Sequence, residues 1–349
     1  MSAKSSVLLL GCGGVGTIVA LNLERGGLAT VTAVLRSNYA DVKRRGFHIQ
    51  SCDHGELHEW RPSHLVDHVP SYQDHKFDYI VCTTKNTPDC KPTLSETIAP
   101  AVTPNHTVIV LLQNGINLER ALFDAFPSNT VLSGISYIRS HEVSPGEIDH
   151  MDHDELICGP FSRVPQQPDE KDVAAARKFC EIYGAAGRTI STYDEDVLSS
   201  RWRKLMYNAC LNSVCAVTGL DTGSVQQTGT LVDGLVRPAM KEIVAAARAA
   251  GAKNMSDETV EATIAGLEPV EMRFKPSMLV DMEKGNYTEF ENIVGEPLRA
   301  GTALGVQMPT LSVVYNILQA FQWRLKMQKG HEMPELCKTD SPMAVDDSK

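Results

Sequence analysis

The chain has 349 residues, of which 42% are hydrophobic and 22% charged, and a formal net charge of −10. That length allows two domains and that composition a real core. The acidic balance argues against nonspecific nucleic-acid binding, but not against a local basic pocket.

No apolar run reaches the roughly 18 residues of a membrane span. "SVLLLG" (Ser6–Gly11) runs straight into glycines, so it reads as a buried parallel strand rather than part of a signal peptide. "GCGGVG" and a helical "TIVALNLERGG" follow, then a β-branched strand, "ATVTAVLR", ending at Arg36. "FDYIVCTTK" and "HTVIVLLQNG" are further strands, with helices at 91–99 and 116–126, and "TVLSGISYI" continues the alternation. Strand and helix alternating at this rhythm predict a doubly wound parallel sheet. "GEIDHMDHDELICGPF" alternates like an antiparallel hairpin, and a helix (172–183) and a short strand (188–192) complete the first domain. From Asp194 onward strand signals vanish, and helices are predicted at 195–218, 229–251, 257–266, 287–303 and 309–328. The expected fold class is therefore α/β: a Rossmann-type sheet domain over 1–193, an all-α domain over 194–330, and a polar, disordered tail over 331–349. Nine cysteines, several among apolar residues and none in a CxxC pair, suit a reducing cytoplasmic compartment and argue against structural zinc.

Gly11, Gly13 and Gly16 form G-x-G-x-x-G between a strand and a helix, with Cys12, Gly14 and Val15 as the intervening residues. The pattern supplies a tight turn, a close backbone approach to a pyrophosphate and close helix–strand packing, with the helix N-terminus facing the phosphates. At the end of the second strand stands Arg36 rather than an acid, followed by Ser37. A guanidinium and a hydroxyl suit a 2′-phosphate, so NADPH/NADP+ is the expected cofactor.

In "WRKLMYNACLNSVCAVTG" an apolar helix carries Lys204, Asn208 and Asn212 at i, i+4 and i+8. They form one polar stripe about 12 Å long. Burying such groups unpartnered costs about 1–3 kcal/mol each, so the stripe should face a cleft. In "PSMLVDMEKGNYTEFENIVGEPL", Ser277 precedes Glu289 by twelve residues, and Asn286 or Thr288 is expected to cap a helix carrying Glu289 in its first turn.

"GCGGVG", the Arg after the second strand, "TTK", "LLQNG", "WRKLMYNACLN" and "SMLVD…TE" occur in this order over residues 7 to about 325, and in this the chain resembles the ketopantoate reductases (2-dehydropantoate 2-reductases). The resemblance implies NADPH-dependent reduction of a 2-oxo acid to a 2-hydroxy acid, the pantoate-forming step of pantothenate biosynthesis. It implies that Gly11, Gly13 and Gly16 form the phosphate loop and that Arg36 and Lys85 contact the cofactor. Asn114 would touch both nicotinamide ribose and substrate. Lys204 is implied as the catalytic acid, Asn208, Asn212 and Ser277 as substrate ligands, and Glu289 as a carboxylate beside the reacting centre. Where family members often carry a third substrate asparagine, this chain has Asp221 and Thr222, and a carboxylate there would repel an anionic substrate.

His141, His150 and His153 stand among acids, but regular alternation would put His150 and His153 on opposite faces, so no metal site is expected. The expected partner is a small 2-oxo acid; a homodimer is compatible with the sequence but not dictated by it. The alternatives are an NADP-dependent dehydrogenase of another 2-oxo or 3-hydroxy acid, and a non-catalytic nucleotide-sensing regulator. Retention of Lys204 with Glu289, Asn208, Asn212 and Ser277 argues against the regulator, which needs no proton donor.

Overall fold

The computed structural model describes residues 3–163 and 167–330. The expected disordered tail, 331–349, lies outside the described residues. Ten strands form one sheet: β1 (Ser5–Leu10), β2 (Ala29–Val34), β3 (Phe47–Ser51), β4 (Gly55–Trp60), β5 (His64–Val66), β6 (Tyr79–Cys82), β7 (Val108–Leu111), β8 (Val131–Ser144), β9 (Glu147–Pro160) and β10 (Ile190–Tyr193). Their order is β4-β3-β9-β8-β7-β6-β1-β2-β5, with β10 paired to β9. From β5 to β8 all neighbours are parallel. The central strands accordingly read as unbroken apolar runs, as strands covered on both faces must. Val7, Leu8, Leu9, Ile80 and Val81 are fully buried.

Helices α1 (Gly14–Arg25), α2 (Tyr39–Arg45), α3 (Leu94–Ile98), α4 (Arg120–Ala125) and α5 (Glu170–Gly184) accompany the sheet. Strand order reverses at β1, with β2 on one side and β6 on the other. Ligands of doubly wound sheets sit at the carboxyl ends of the strands at such a reversal. The loops leaving β1 and β6, Gly11–Gly13 and Thr83–Lys85, both lie there.

Two regions differ from expectation. "SCDHGELHEW", given no strand by the sequence reading, belongs to β3, β4 and their tight turn, which extend the sheet beyond β9. β4 is short, polar and at the sheet edge, and β3 alternates buried Phe47 and Ile49 with polar residues, so neither has the unbroken apolar run that betrays a buried strand. The hairpin at residue 147 does form, but as two 14-residue strands whose register slips at several points.

Beyond Tyr193 the chain is helical: α6 (Val197–Tyr207) continues through a π-turn (Asn208–Asn212) into α7 (Ser213–Thr218), followed by α8 (Thr222–Gln227), α9 (Arg237–Ala249), α10 (Asp257–Ala265), α11 (Ser277–Glu283), α12 (Glu296–Ala303) and α13 (Pro309–Gln328). Trp202, Leu211, Met240, Ile243 and Leu311 belong to a separate core here. No helix among the described residues is long and apolar enough to cross a membrane.

Candidate active site

Gly11 leaves β1 at φ +92°, and a Cβ there would come within 2.7 Å of Thr84 Cγ2. A Cβ on Gly16 would lie 2.2 Å from Gly11 O, so the loop folds back on itself only with glycine at both positions. Thr83 Oγ1 donates to Gly11 O at 2.8 Å and ties the β1 and β6 loops together. Gly13 caps α1 with no side chain bonded to the helix N–H groups, and the first turn holds no acid. That leaves a helix N-terminus suited to an anion. Glu142, close to Gly13, has Oε1 engaged by Asn38 Nδ2 (2.8 Å) and Gly146 N (2.9 Å). Burial pushes the Cys12 thiol up to about 12, against the lowering effect of Thr17, so it is inert packing. Arg36 and Ser37 are exposed at the end of β2.

A cavity of about 1200 Å³ joins this loop to the helical region. Cys12, Gly14, Val15, Arg36, Lys85 and Asn114 line it, as do Lys204, Asn208, Asn212 and Ser277. Glu289 is 4% exposed and stands behind that wall. The residues present therefore fit a dinucleotide: a glycine cradle, an unblocked helix start and a free-standing cation share one cavity.

Lys204 lies near the end of α6, where Nζ donates to Ser136 O at 2.5 Å and sits 5.4 Å from the Tyr137 ring centroid. No carboxylate pairs with it among the described residues. Burial, and then the positive charge of Arg201, push its pKa down to about 8, while Glu289 pulls the other way. Four residues overshoot one α-helical turn by about 40°. The π-turn over 208–212 has wider, i to i+5, turns, so its four residues do not overshoot in the same way. Drift along the stripe is thereby reduced, and Lys204, Asn208 and Asn212 all reach the one cavity. Asn208 Nδ2 donates to Asn114 Oδ1 at 3.5 Å, and Asn212 Nδ2 to Ser277 Oγ at 3.3 Å. Asn212 Oδ1 accepts from Met278 N, which fixes the start of α11.

Lys85 is paired differently. Its Nζ is 2.7 Å from Asp281 Oδ2 and 3.7 Å from Glu289 Oε2. Although burial works against its charge, Glu289 and Asp281 hold it above the ordinary lysine value. Glu289 Oε1 accepts from Asn86 N at 3.0 Å. Burial raises its pKa, against the pull of Lys85, and Asn114 also hydrogen-bonds it. Asn114 thus touches both Asn208 and Glu289.

The model of the family described as ketopantoate reductase PanE/ApbA matches residues 7–163, and the model of its C-terminal part matches residues 196–322. The chain belongs to the ketopantoate reductase family. An uncharacterized protein of Saccharomyces cerevisiae is 38% identical over 93% of this chain and 96% of its own length. A 2-dehydropantoate 2-reductase of Nostoc is 26% identical over 90% and 95%. Among solved structures, the 2-dehydropantoate 2-reductase of Methylococcus capsulatus superposes with a TM-score of 0.77 at 30% identity, covering 92% of this chain and 97% of its own.

Two expectations need correcting. Glu289 is not in the first turn of a helix; it precedes Phe290, and its backbone carbonyl accepts the first bond, from Ile293 N. Its carboxylate goes to Lys85 and Asn86, and its charge also raises the pKa of Lys204. Asp221 does not confront a substrate: it caps α8 through Ser224 N at 2.7 Å and lies 3.8 Å from Arg273. Thr222 is fully buried, and neither residue lines the cavity.

Sequence reasoning also missed two residues. Asp281, four after Ser277 on α11, lines the cavity and anchors Lys85; the i, i+4 spacing was the available signal. Arg201 is 5% exposed and donates to Ser133 Oγ, Leu111 O, Gln113 O, Gly115 O and Gly134 O. It fastens α6 to the ends of β7 and β8, and so sets Lys204 against the loop that carries Asn114. A cation three residues before Lys204 on an apolar helix was the only hint.

Proposed function

We propose that this protein reduces ketopantoate, or a similar branched 2-oxo acid, to the 2-hydroxy acid with NADPH, as a step toward pantothenate. The nucleotide belongs to the domain spanning 1–193, and the acid and most of the substrate ligands to the domain spanning 194–330. One observation carries the reading: a lysine lowered toward neutral pH shares a single cavity with a glycine cradle and a stripe of amides.

When bound, NADPH supplies a hydride to the carbonyl carbon. Lys204, as the ammonium, gives its proton to the carbonyl oxygen as negative charge develops there, and this stabilises the transition state more than the ground state. A pKa near 8 keeps the amine largely protonated at neutral pH while making it a better acid than an ordinary lysine. Asn208, Asn212 and Ser277 offer hydrogen bonds to the substrate's carboxylate and hydroxyl. Glu289 orients Asn114 and counters Arg201 at Lys204. Arg36 supplies a charge-assisted bond to a 2′-phosphate.

Met272 and Phe274 also line the cavity. That favours, as a second reading, a 2-oxo acid with a bulkier apolar side chain than ketopantoate. The experiment is a panel of 2-oxo acids, ketopantoate among them, each with NADPH or NADH, followed by loss of reduced-nucleotide absorbance. Turnover of branched 2-oxo acids with NADPH is expected. Nucleotide binding without turnover of any member would overturn the reading in favour of a regulator.

A further inference from the structure

We propose that Cys52, Asp53 and His150 form a binding site for a zinc-class divalent metal ion, where the β3–β4 turn meets β9. The three residues come from two segments far apart in sequence. β3 ends at Ser51 and β4 begins at Gly55, so Cys52–His54 is a tight turn. β9 runs parallel to β3 with His150 opposite Ser51, and Cys52 N donates to His150 O at 3.0 Å. Backbone pairing, not side-chain chance, therefore sets the turn against His150.

The donor atoms are spaced as a tetrahedral ion requires. His150 Nε2 is 4.0 Å from Cys52 Sγ and 3.7 Å from Asp53 Oδ2, and the three donors all lie within 4.8 Å of one another. Zinc bond lengths at tetrahedral angles put sulfur and nitrogen about 3.6 Å apart, and nitrogen and oxygen about 3.4 Å. Side-chain shifts of a few tenths of an ångström close the difference. Sulfur, imidazole and carboxylate together suit zinc-class ions and not calcium or magnesium.

Two of the three ligands are held in place from outside. The His150 side chain is fully buried, and its Nδ1 is 2.8 Å from Ser51 Oγ. Asp53, its side chain 3% exposed, accepts from Asp154 N at 2.9 Å. Such outer contacts orient metal ligands. Cys52 is exposed and gives the ion a way in. A fourth position falls to water or to His153, which is 84% exposed and already bonds Asp53 through Nδ1. Strict alternation would separate His150 from His153, but the β8–β9 register slips beside them and both reach the same carboxylate. Binding exchanges the Cys52 thiol proton for the metal and releases that proton to solvent.

The test uses the full chain, stripped with chelator and titrated with Co²⁺ and then Zn²⁺. One equivalent of Co²⁺ should give thiolate-to-cobalt charge-transfer absorption in the near ultraviolet, and Zn²⁺ should abolish it. Zn²⁺ should also raise the unfolding midpoint, because it binds only the folded chain. Cys52→Ser, at an exposed position, should remove the band and weaken Zn²⁺ binding by at least about 100-fold, the upper end of what losing an outer-shell partner costs. His150→Gln should do the same, with its unfolding midpoint and NADPH binding reporting whether it folds. Cys90→Ser should match the parent. No band at one equivalent, or a band that survives Cys52→Ser and disappears with Cys337→Ser, would overturn the proposal. Neither result bears on the reductase reading, which the 2-oxo acid panel tests separately.

Discussion

Lys85 and Lys204 line the same cavity in opposite surroundings. Lys85, after β6, faces two carboxylates and is held above the ordinary lysine pKa, against partial desolvation. Lys204, on α6, has a backbone carbonyl and an aromatic ring for company, with Arg201 nearby, and falls to about 8. One shift is set by opposite charges and the other by desolvation plus a like charge. The same side chain is therefore held as a fixed positive charge at one site and brought toward neutral titration at the other, as the proposed proton donor requires. What decides between them is where Asp281 and Glu289 are placed, which is a matter of fold and not of the lysines' own neighbours in sequence.

Removing each lysine should break this contrast most sharply. Lys204→Ala should lose about 10²–10⁴-fold in kcat, the usual contribution of general acid catalysis, while NADPH binding measured by fluorescence is retained. Lys85→Met should leave Glu289 buried without its cation. The carboxyl should then take up a proton, seen as a raised carboxyl titration by infrared spectroscopy, and kcat should fall less than in Lys204→Ala.

Arg36 marks the other end of the cavity and tests whether cofactor binding is separable from acid chemistry. Arg36→Ala should weaken NADPH by about ten- to a hundredfold, from a charge-assisted bond of about 1.5–3 kcal/mol, and leave NADH nearly unchanged. Equal loss for both nucleotides would remove the 2′-phosphate role.

A finer test uses the two charges that pull Lys204 in opposite directions. Arg201 lowers it, so Arg201→Met should move the alkaline limb of the rate profile upward. Glu289 raises it, so Glu289→Gln should move the limb downward. Arg201→Met also leaves several buried carbonyls without a donor, each costing about 1–3 kcal/mol, so its unfolding midpoint should drop. The smallest effect belongs to Ser277→Ala, which removes one neutral hydrogen bond of about 0.5–1.5 kcal/mol and should raise KM for the 2-oxo acid roughly two- to tenfold.

These contrasts also separate what the sequence could say from what it could not. The glycine loop was legible because a strand, three glycines and a helix are consecutive, and each does its work within the motif. Helix 309–328 was predicted with the bounds it has, since Pro309 opens it and a polar, glycine-containing stretch ends it. β3 and β4 were missed because neither carries an unbroken apolar run, and the pairing of β3 with β9 spans about a hundred residues. Glu289 was placed beside the reacting centre, but its contact with the β6 loop was not foreseen. The bond that fixes it, to Asn86 N, joins residues 203 positions apart. The polar stripe showed that Lys204 faces something, yet not that Arg201 would lower its pKa, because that depends on which strand ends receive the guanidinium.

The account rests on Lys204 being an acid that titrates near neutral pH. The most direct measurement is the single-turnover rate of NADPH oxidation, with saturating 2-oxo acid, from neutral to alkaline pH, in the parent and in Lys204→Ala. An ammonium is protonated below its pKa, so the parent rate should be high at neutral pH and fall as pH rises through about 8. Lys204→Ala should be slow throughout and lack that fall. A parent rate that stays flat through pH 8, or a variant within about threefold of the parent where an acid should contribute a hundredfold or more, would contradict it.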